Sequence, residues 1–238
     1  MKLDILAFGA HPDDVEMSCG ATLAKEISRG KTVGIIDLTQ GELGTRGSAA
    51  IRKEEAAAAA KSLGVAIREN LMLADGFFQN DEASQLKVIQ MIRKYRPEVV
   101  FCNAIDDRHI DHGKGSQLVS ESCFLSGLRR IETVDDGTQQ EAWRPKCVYH
   151  YIQWKEIEPD VVVDVTGFMD AKLEAIKAYA SQFYDANSTE PETPISSKNT
   201  WDSLSYRNRN LGRLIGTQAA EGFNVERYPA VDSIFDLI

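Results

Sequence analysis

The sequence predicts a Rossmann-like α/β fold of three layers, in which a mostly parallel sheet lies between helices on both faces. Short apolar runs that suit buried strands alternate with longer segments of helical period, at the spacing of successive βαβ units. Clusters of polar residues directly follow two of these runs, where ligands bind in such sheets. A chain of 238 residues with no repeat or linker then predicts one domain over 1–238.

Glycine, serine and proline mark the ends of several predicted helices. Gly30 and Gly64 suit left-handed caps after two helices, Ser48 can cap the start of the second, and Pro97 follows the third. The predicted helices cover 15–29, 48–63, 82–95, the stretch after the second polar cluster to about 127, 167–183 and 199–220. The predicted strands cover 3–9, 31–38, 70–74, 98–103, 147–152 and 161–165, with a further piece near 225. Between them, 39–48 and 129–145 are predicted to be irregular and 185–199 to be mobile.

Composition limits the partners and the compartment. A net charge of −9 disfavours nonspecific binding to nucleic acid or an acidic membrane. No apolar run approaches the roughly 18 residues of a membrane span, and the run at 5–10 is too short for a signal sequence, so we expect a cytoplasmic protein. The four cysteines are widely spaced and form no CxxC pair, which suits buried thiols in a reducing compartment.

The first polar cluster lies at the turn between the first strand and the first helix. His11, Asp13, Asp14 and Glu16 place one imidazole and three carboxylates within six residues. Crowded carboxylates beside an imidazole are costly unless a cation joins them, so the cluster predicts a divalent metal. The turn lacks the glycines that cradle a pyrophosphate, which argues against a dinucleotide site. The alternative interpretation is that the aspartates only complement the helix dipole.

The second polar cluster follows the predicted strand that contains Val99–Cys102. Residues 106–112 read Asp-Asp-Arg-His-Ile-Asp-His, so three of the four histidines lie in two loops, each just past a strand. Parallel strands would bring both loops to one edge of the sheet. Two histidines and one carboxylate with a position left open for water form a catalytic zinc arrangement.

The two clusters together resemble those of the PIG-L/LmbE-like zinc N-deacetylases. The resemblance depends on His-Pro-Asp-Asp-x-Glu at 11–16 and His-x-Asp-His at 109–112. It covers about 3–220 and includes further family-like stretches at Gly41-Glu42, Arg52-x-x-Glu55, Asp75-Gly76 and Ala180–Phe183. Members of this family remove an acetyl group from N-acetylglucosamine attached to an aglycone.

The resemblance implies a set of metal ligands. His11, Asp14 and His112 occupy the ligand positions of the family, and this set suits one zinc ion per chain, or an exchangeable divalent metal. Glu16, in the first helical turn, is expected to support the ligands or to complement the helix dipole.

The resemblance also implies the catalytic residues. Asp13 is the expected general base, which takes a proton from the attacking water. A protonated His109 would stabilise the oxyanion and protonate the leaving amine, and Asp111 would keep His109 charged and oriented. The alternative for His109 is a structural role in its loop.

Several residues are expected to contact substrate. Arg52 is the expected substrate clamp, and the alternative for it is an ordinary surface pair with Glu55. Ser18 and Asp75 match positions that touch sugar hydroxyls. Arg108, together with Arg46 and Arg52, would receive the carboxylates of an acidic aglycone.

The chain departs from the family at one position. Some members place an oxyanion-binding tyrosine shortly before the second motif, where 104–108 here reads Ala-Ile-Asp-Asp-Arg. Such a tyrosine must then come from elsewhere, for example Tyr206, or be absent.

The pattern is most similar to the deacetylases of bacillithiol synthesis, which act on N-acetylglucosaminyl malate. That similarity rests on chain length, the Gln40-Gly41-Glu42 loop and the Gly212-x-x-Ile215-Gly216 region. Related enzymes act on inositol-linked sugars, chitobiose or antibiotic precursors. Because members are commonly trimers or hexamers, we expect a homo-oligomer, to which the C-terminal segment with Tyr206, Leu211, Leu214, Ile215 and Phe223 contributes.

Two other classes of function stay open. A metallophosphoesterase also uses clusters of His and Asp, but it holds two metals, and only one clear ligand set is present, with Gly113 in place of a further histidine. The other is a catalytically silent metal-binding or protein-binding module. Against it, Asp13 and His109 are both present, and a structural metal site would take all four ligands from the protein.

Overall fold

The structure is a computed structural model that describes residues 1–237, and it has the predicted layered α/β architecture. Its strands are β1 (Ile5–Gly9), β2 (Val33–Thr39), β3 (Ile67–Leu73), β4 (Val99–Cys102), β5 (Val134–Asp135), β6 (Thr138–Gln139), β7 (Cys147–Tyr151), β8 (Val161–Asp164) and β9 (Ala220–Val225). Its α-helices are α1 (Asp14–Ser28), α2 (Ala49–Leu63), α3 (Glu82–Tyr95), α4 (Ile110–Leu125), α5 (Met169–Lys177) and α6 (Lys198–Leu214). Short 3-10 helices cover Pro194–Ser196 and Ile234–Leu237.

A seven-stranded sheet in the order β3-β2-β1-β4-β7-β9-β8 forms the middle layer. Every pair from β3 to β7 is parallel, and β9 is antiparallel to both of its neighbours. The prediction of a mostly parallel sheet is therefore confirmed. Because the parallel strands point the same way, their carboxyl ends meet at one edge, and both polar clusters lie there.

The side chains of β1 show how the sheet is buried on both faces. Leu6 and Phe8 lie in a core cluster with apolar residues of α3 and α4. Ile5 and Ala7 point the other way, into a cluster with residues of α1, beside which α2 and α5 pack. A strand covered on both faces reads as a continuous apolar run, which is why β1 is easy to recognise in the sequence. No helix of residues 1–237 combines the length and the apolar character of a membrane span.

The caps predicted for α2 are present. The Ser48 side chain accepts a hydrogen bond from the backbone N–H of Ile51, and Gly64 ends the helix with φ 77°. Those local signals fix both ends of the helix, since few other residues tolerate a left-handed backbone.

Three predicted boundaries differ from the structure by three residues or more. The third strand begins at Ile67 rather than 70, because pairing with Gly34 of β2 extends β3 through polar residues at the edge of the sheet. Helix α5 ends at Lys177 rather than 183, and the N–H of Ser181 is bound by the Glu55 carboxylate instead of a helix carbonyl. Helix α6 ends at Leu214 rather than 220, just before Gly216 at φ 75°.

Candidate metal centre and active site

The two polar clusters meet in a cavity of about 530 Å³ at the carboxyl edge of the sheet. Both motifs, the loops that follow β2 and β7, and α6 with the turn before it contribute to its wall. The predicted site residues that line it are His11, Asp13, Asp14, Ser18, Arg52, Asp75, Arg108, His109 and His112.

His11 lies in the turn that joins β1 to α1, with carboxylates against both ring nitrogens. Its Nε2 is 3.0 Å from Asp75 Oδ1 and 3.4 Å from Asp111 Oδ2, and its Nδ1 is 3.6 Å from Asp14 Oδ2. Burial opposes a charge on the ring, but the hydrogen bonds of Asp111, Asp14 and Asp75 outweigh it and hold the pKa of His11 well above its ordinary value. The surroundings of His11 therefore favour a positive charge, which a metal would also supply.

His112 has the same kind of environment in the first turn of α4. Its Nε2 is 3.2 Å from Asp14 Oδ1, and its Nδ1 contacts Asp107 Oδ2. Against the effect of burial, Asp14 and Asp107 raise the pKa of His112 to about 9. A carboxylate on the outer nitrogen of a ligand histidine fixes the ring and increases its basicity.

Asp14 lies between the two histidines and is held by three further groups. The backbone N–H of His11 donates to its Oδ2 at 2.9 Å, Asn103 Nδ2 donates to the same oxygen at 2.9 Å, and Gln153 Nε2 donates to its Oδ1 at 3.0 Å. Burial opposes ionisation, but the charge of His112 and the hydrogen bonds of both histidines hold the pKa of Asp14 well below its usual range.

Two of these supporting residues, Asn103 and Gln153, were not predicted from the sequence, and Asp107 was predicted only as a member of the second polar cluster, without a role. Asn103 directly follows β4, Gln153 follows β7, and Asp107 lies in the loop before α4. Their position just past parallel strands is a signal that would have found them, because those strand ends form the edge where the site lies.

The residues present fit a divalent metal. Two tetrahedral ligands at the usual zinc distance of about 2.0–2.1 Å lie roughly 3.3 Å apart. Asp14 Oδ2 is 3.6 Å from His11 Nδ1 and Asp14 Oδ1 is 3.2 Å from His112 Nε2, so each histidine has a different oxygen of this carboxylate at a separation close to that value. One ring nitrogen from each of His11, His109 and His112 lies within 4.8 Å of the other two, so the imidazole of His109 also borders the space between the proposed ligands.

Asp13 faces a different set of groups from Asp14. Its backbone has φ 116°, in the left-handed region, and its carboxylate accepts a hydrogen bond from Arg52 Nη2 at 3.0 Å. Burial raises the pKa of Asp13 to about 7, although Arg52 acts in the opposite direction. A buried carboxylate beside the metal ligands and close to neutrality in its pKa has the properties of a general base.

Arg52 is not placed as the free substrate clamp that the sequence predicted. The residue is 5% exposed, and its guanidinium donates to Asp13, to the carbonyl of Pro12 and to the carbonyl of Gly41. Gly41, with φ 64°, is required there because a Cβ would lie 1.9 Å from Arg52 Nη1. Arg52 therefore positions the Asp13 carboxylate, and the Glu55 carboxylate binds Ser181 instead of Arg52.

His109 caps the start of α4 through its ring. Its Nδ1 accepts a hydrogen bond from the backbone N–H of Asp111 at 3.2 Å, so a neutral ring carries its proton on Nε2. Burial and the charges of His11 and His112 lower the pKa of His109. The expected protonated state is thus disfavoured, since neighbouring positive charges repel it.

The carboxylate of Asp111 does not bind His109, as the sequence analysis expected. It accepts a hydrogen bond from the Gly76 backbone N–H at 2.7 Å and contacts His11 and Lys114. Asp111 therefore orients His109 through its backbone, because the side chain points from the first helical turn toward His11.

The other predicted substrate contacts differ in whether they line the cavity and whether their polar atoms already have partners within the protein. Ser18 and Arg108 line the cavity. Both oxygens of Asp75 are engaged, by His11 and by the Leu43 backbone N–H. Arg46 is buried against Phe183 and Ser188 and does not line the cavity. Tyr206 is 68% exposed and also lies outside the cavity wall.

Two further residues of the cavity wall were not anticipated. Trp154 directly follows Gln153, and the Arg108 guanidinium lies over its ring, 4.8 Å from the centroid. Arg207, on α6, donates to the carbonyl oxygen of Trp154 at 2.9 Å. No sequence signal indicated Arg207, since the prediction of α6 did not say which of its faces meets the site.

Comparison with known proteins places these motifs in a family. The model of the GlcNAc-PI de-N-acetylase family, PIG-L, matches residues 6–123, which contain both clusters. A conserved protein from Thermus thermophilus has a solved structure that is 32% identical, with a TM-score of 0.85 and 98% of each chain covered.

Two curated relatives are deacetylases by name. The diacetylchitobiose deacetylase of Thermococcus kodakarensis is 28% identical over 189 residues, which cover 75% of this chain and 70% of the relative. The 1D-myo-inositol 2-acetamido-2-deoxy-alpha-D-glucopyranoside deacetylase of Rhodococcus opacus is 26% identical over an alignment of 237 residues, gaps included. The match covers 75% of this chain and 81% of the relative. The fold, the motif match and these relatives agree, and the chain belongs to the PIG-L family of metal-dependent N-deacetylases.

Proposed function

We propose that the protein removes the acetyl group from N-acetylglucosaminyl malate, in bacillithiol synthesis, with one zinc ion per chain. The observation that carries the proposal is the arrangement of Asp14 between His11 and His112, each of which has a second carboxylate on its other nitrogen. Asp13 lies beside this set, bound to Arg52. Such a centre suits hydrolysis of an amide.

Zinc is the proposed metal because the ligand set is two imidazoles and one carboxylate. Catalytic zinc commonly has three protein ligands and one open position. There are two groups of potential ligand atoms in which the atoms lie within 4.8 Å of one another, one from the three histidines and one from His11, Asp75 and Asp111. Backbone N–H groups of Leu43 and Gly76 already bind those carboxylates, so we expect one metal rather than two.

Each residue of the centre has a role in the proposed reaction. A bound metal would polarise the amide carbonyl and promote deprotonation of water. Asp13 takes the proton of the attacking water as its oxygen joins the carbonyl carbon, and Arg52 holds that carboxylate in place. Neutral His109, protonated on Nε2, donates a hydrogen bond to the developing oxyanion. The proton then passes to nitrogen as the C–N bond breaks, which yields acetate and a free amine.

The acidic aglycone is supported by the charge on the cavity wall. Arg108 lines the cavity, is exposed and has its guanidinium over Trp154 rather than against a carboxylate. The relatives named above act, by name, on chitobiose and on an inositol conjugate, both neutral, so the choice of malate rests on this chain's own residues and on its sequence pattern.

The test is a substrate panel with the purified protein. Amine release is measured for N-acetylglucosaminyl malate, N,N'-diacetylchitobiose and free N-acetylglucosamine. We expect the malate conjugate to give the highest kcat/KM, because binding of the remote aglycone can lower the barrier at the amide. A higher value for chitobiose would refute the malate assignment, and no amine release from any of the three would refute the proposed substrate class.

Metal content separates the proposal from a phosphoesterase. Elemental analysis of the purified protein should give one zinc, or one exchangeable divalent ion, per chain. Two tightly bound ions per chain, with phosphate release from a phosphomonoester and no amine release, would favour the phosphoesterase instead.

A further inference from the structure

We propose that Arg207 and Arg108, which both contact Trp154, form an anion-binding subsite that selects substrates with a negatively charged aglycone. This inference rests on the proposed deacetylase function and adds Arg207 as a specificity-determining residue. The chemistry that would be recognised is a carboxylate or a phosphate on the group attached to the acetylated sugar.

The subsite lies next to the metal centre. Gln153 binds Asp14, and Trp154 is the next residue in the chain. Arg207 donates one hydrogen bond to the Trp154 carbonyl, and the Arg108 guanidinium lies over the Trp154 ring. Trp154 thus joins the two arginines to the element that holds a proposed metal ligand.

The donors of both arginines are available to a ligand. A guanidinium offers five N–H groups. Within residues 1–237, the side chain of Arg207 donates one hydrogen bond, from Nη2 to the Trp154 carbonyl oxygen. Burial lowers the pKa of Arg207, and the negative charges of Glu156 and Asp107 act against that effect without forming an ion pair with it. A half-buried cation with free donors is stabilised by an anion that can bind it in a bidentate manner.

Two of the three acids near the subsite are bound to other partners, and the third, Glu156, is exposed and does not line the cavity. Asp106 pairs with Lys155, and Asp107 contacts His112 and the Lys155 backbone N–H. The wall contributed by α6 and the preceding turn is otherwise neutral, formed by Thr193, Pro194, Ile195, Thr200, Ser203 and Leu204. An anion in this part of the cavity would therefore meet two arginines, and the carboxylates that line the cavity belong to the metal centre or its supporting contacts.

The first experiment compares a charged and a neutral substrate in matched variants. Arg207→Gln is compared with Arg209→Gln, since Arg209 is exposed on the same helix and does not line the cavity. Arg207→Gln should lower kcat/KM for N-acetylglucosaminyl malate about 10-fold or more, the effect of losing a charge-assisted hydrogen bond. Activity on methyl N-acetylglucosaminide should stay within about twofold, and Arg209→Gln should resemble wild type on both substrates.

A loss on both substrates in Arg207→Gln would mean a structural role and would overturn the subsite. An unchanged ratio between the two substrates would also overturn it. Adding N-acetylglucosamine 1-phosphate to the panel separates the two anions: selectivity for it that depends on Arg207 supports a phosphate, whereas selectivity for the malate conjugate supports a carboxylate.

The second experiment measures binding and does not depend on deacetylation. L-malate is titrated into the full-length protein as purified, and Trp fluorescence or heat is recorded. Wild type and Arg209→Gln should bind malate with the same affinity, and Arg207→Gln at least about 10-fold more weakly. Equal affinities in all three proteins would overturn the subsite, whereas selective loss in Arg207→Gln would support it even if no substrate were deacetylated and the proposed function failed.

Discussion

Asp13 and Asp14 are neighbours in the chain, yet their carboxylates have different partners. The left-handed backbone of Asp13 directs its side chain toward Arg52, whereas Asp14 begins α1 and faces the two histidines. A non-glycine residue in this conformation is uncommon and is often found at functional sites. The local backbone thus separates the proposed base from the proposed ligand.

Replacing each aspartate should therefore have a different result. Asp14→Ala removes a ligand, so bound metal and turnover should fall together. Asp13→Asn keeps the shape, and Asn tolerates the left-handed backbone, but it cannot accept a proton. Metal content should then stay near wild type while kcat falls about 10²–10⁴-fold. Elemental analysis and turnover of both variants give the answer, and an Asp13→Asn protein with full metal and full turnover would contradict the mechanism.

Asp107 and Asp106 provide a matched pair for the support of His112. Asp107 binds His112 Nδ1, whereas Asp106 is exposed and pairs with Lys155. Asp107→Asn should weaken metal binding about 10–100-fold, because the ligand histidine loses the carboxylate that orients it. Asp106→Asn should leave the affinity unchanged. Competition with a chelating dye measures both, and equal affinities in the two variants would show that Asp107 does not support the ligand.

At the scale of elements, α1 is interrupted where it approaches β9. Cys19 has φ −133°, outside helical values, and the backbone N–H groups of Ala21 and Thr22 donate to the Glu221 carboxylate. Glu221 also pairs with Lys172 of α5 at 2.7 Å, and both side chains are buried. The Glu221 carboxylate thus binds the free backbone N–H groups at the interruption of α1 and also neutralises the charge of the buried Lys172.

Removing that charge should destabilise the fold. Glu221→Gln would leave Lys172 as a buried cation without its counterion, at a cost of about 3–5 kcal/mol in the free energy of unfolding. The control is Glu174→Gln, which breaks an exposed pair with Lys177 and should leave stability close to wild type. Urea denaturation measures both. Equal midpoints for the two variants would contradict a structural role for the buried pair.

At the scale of the whole molecule, the apolar side chains of the C-terminal segment differ in their exposure to solvent. Phe223 belongs to a segment expected to cover a neighbouring subunit as well as its own core; it is 1% exposed and belongs to the chain's own core. Tyr206, Leu214 and Ile215 are exposed, so they are the apolar side chains of this segment that are accessible to a second copy. The homo-oligomer, a trimer or hexamer, stays a prediction that depends on these three side chains.

Light scattering tests the assembly. We expect a mass of three or six chains at micromolar concentration, and Leu214→Glu should shift the protein toward smaller species, because a charge on an apolar contact is costly to bury. Arg209→Gln serves as the control on the same helix. A wild-type protein that is monomeric at that concentration would refute the prediction.

Features that are encoded locally could be predicted without the structure. Alternating apolar runs and helical periods predicted the layered α/β fold, and the caps at Ser48 and Gly64 set the ends of α2. The two motifs predicted that His11, Asp14 and His112 would meet, since parallel strands bring their loops to one edge. The end of α5 was missed, because Glu55 from another helix binds Ser181 there.

The partners of each charged side chain depend instead on how the elements pack together. Arg52 meets Asp13 across 39 residues of sequence, Asn103 meets Asp14 across 89, and Arg207 meets Trp154 across 53. Local composition carries no record of such pairs, because a guanidinium is equally suited to a substrate, a carboxylate or a backbone carbonyl. Packing of the elements therefore bound the guanidinium groups of Arg46 and Arg52 to oxygen atoms of the protein, whereas Arg108 and Arg207 line the cavity without a carboxylate partner among residues 1–237.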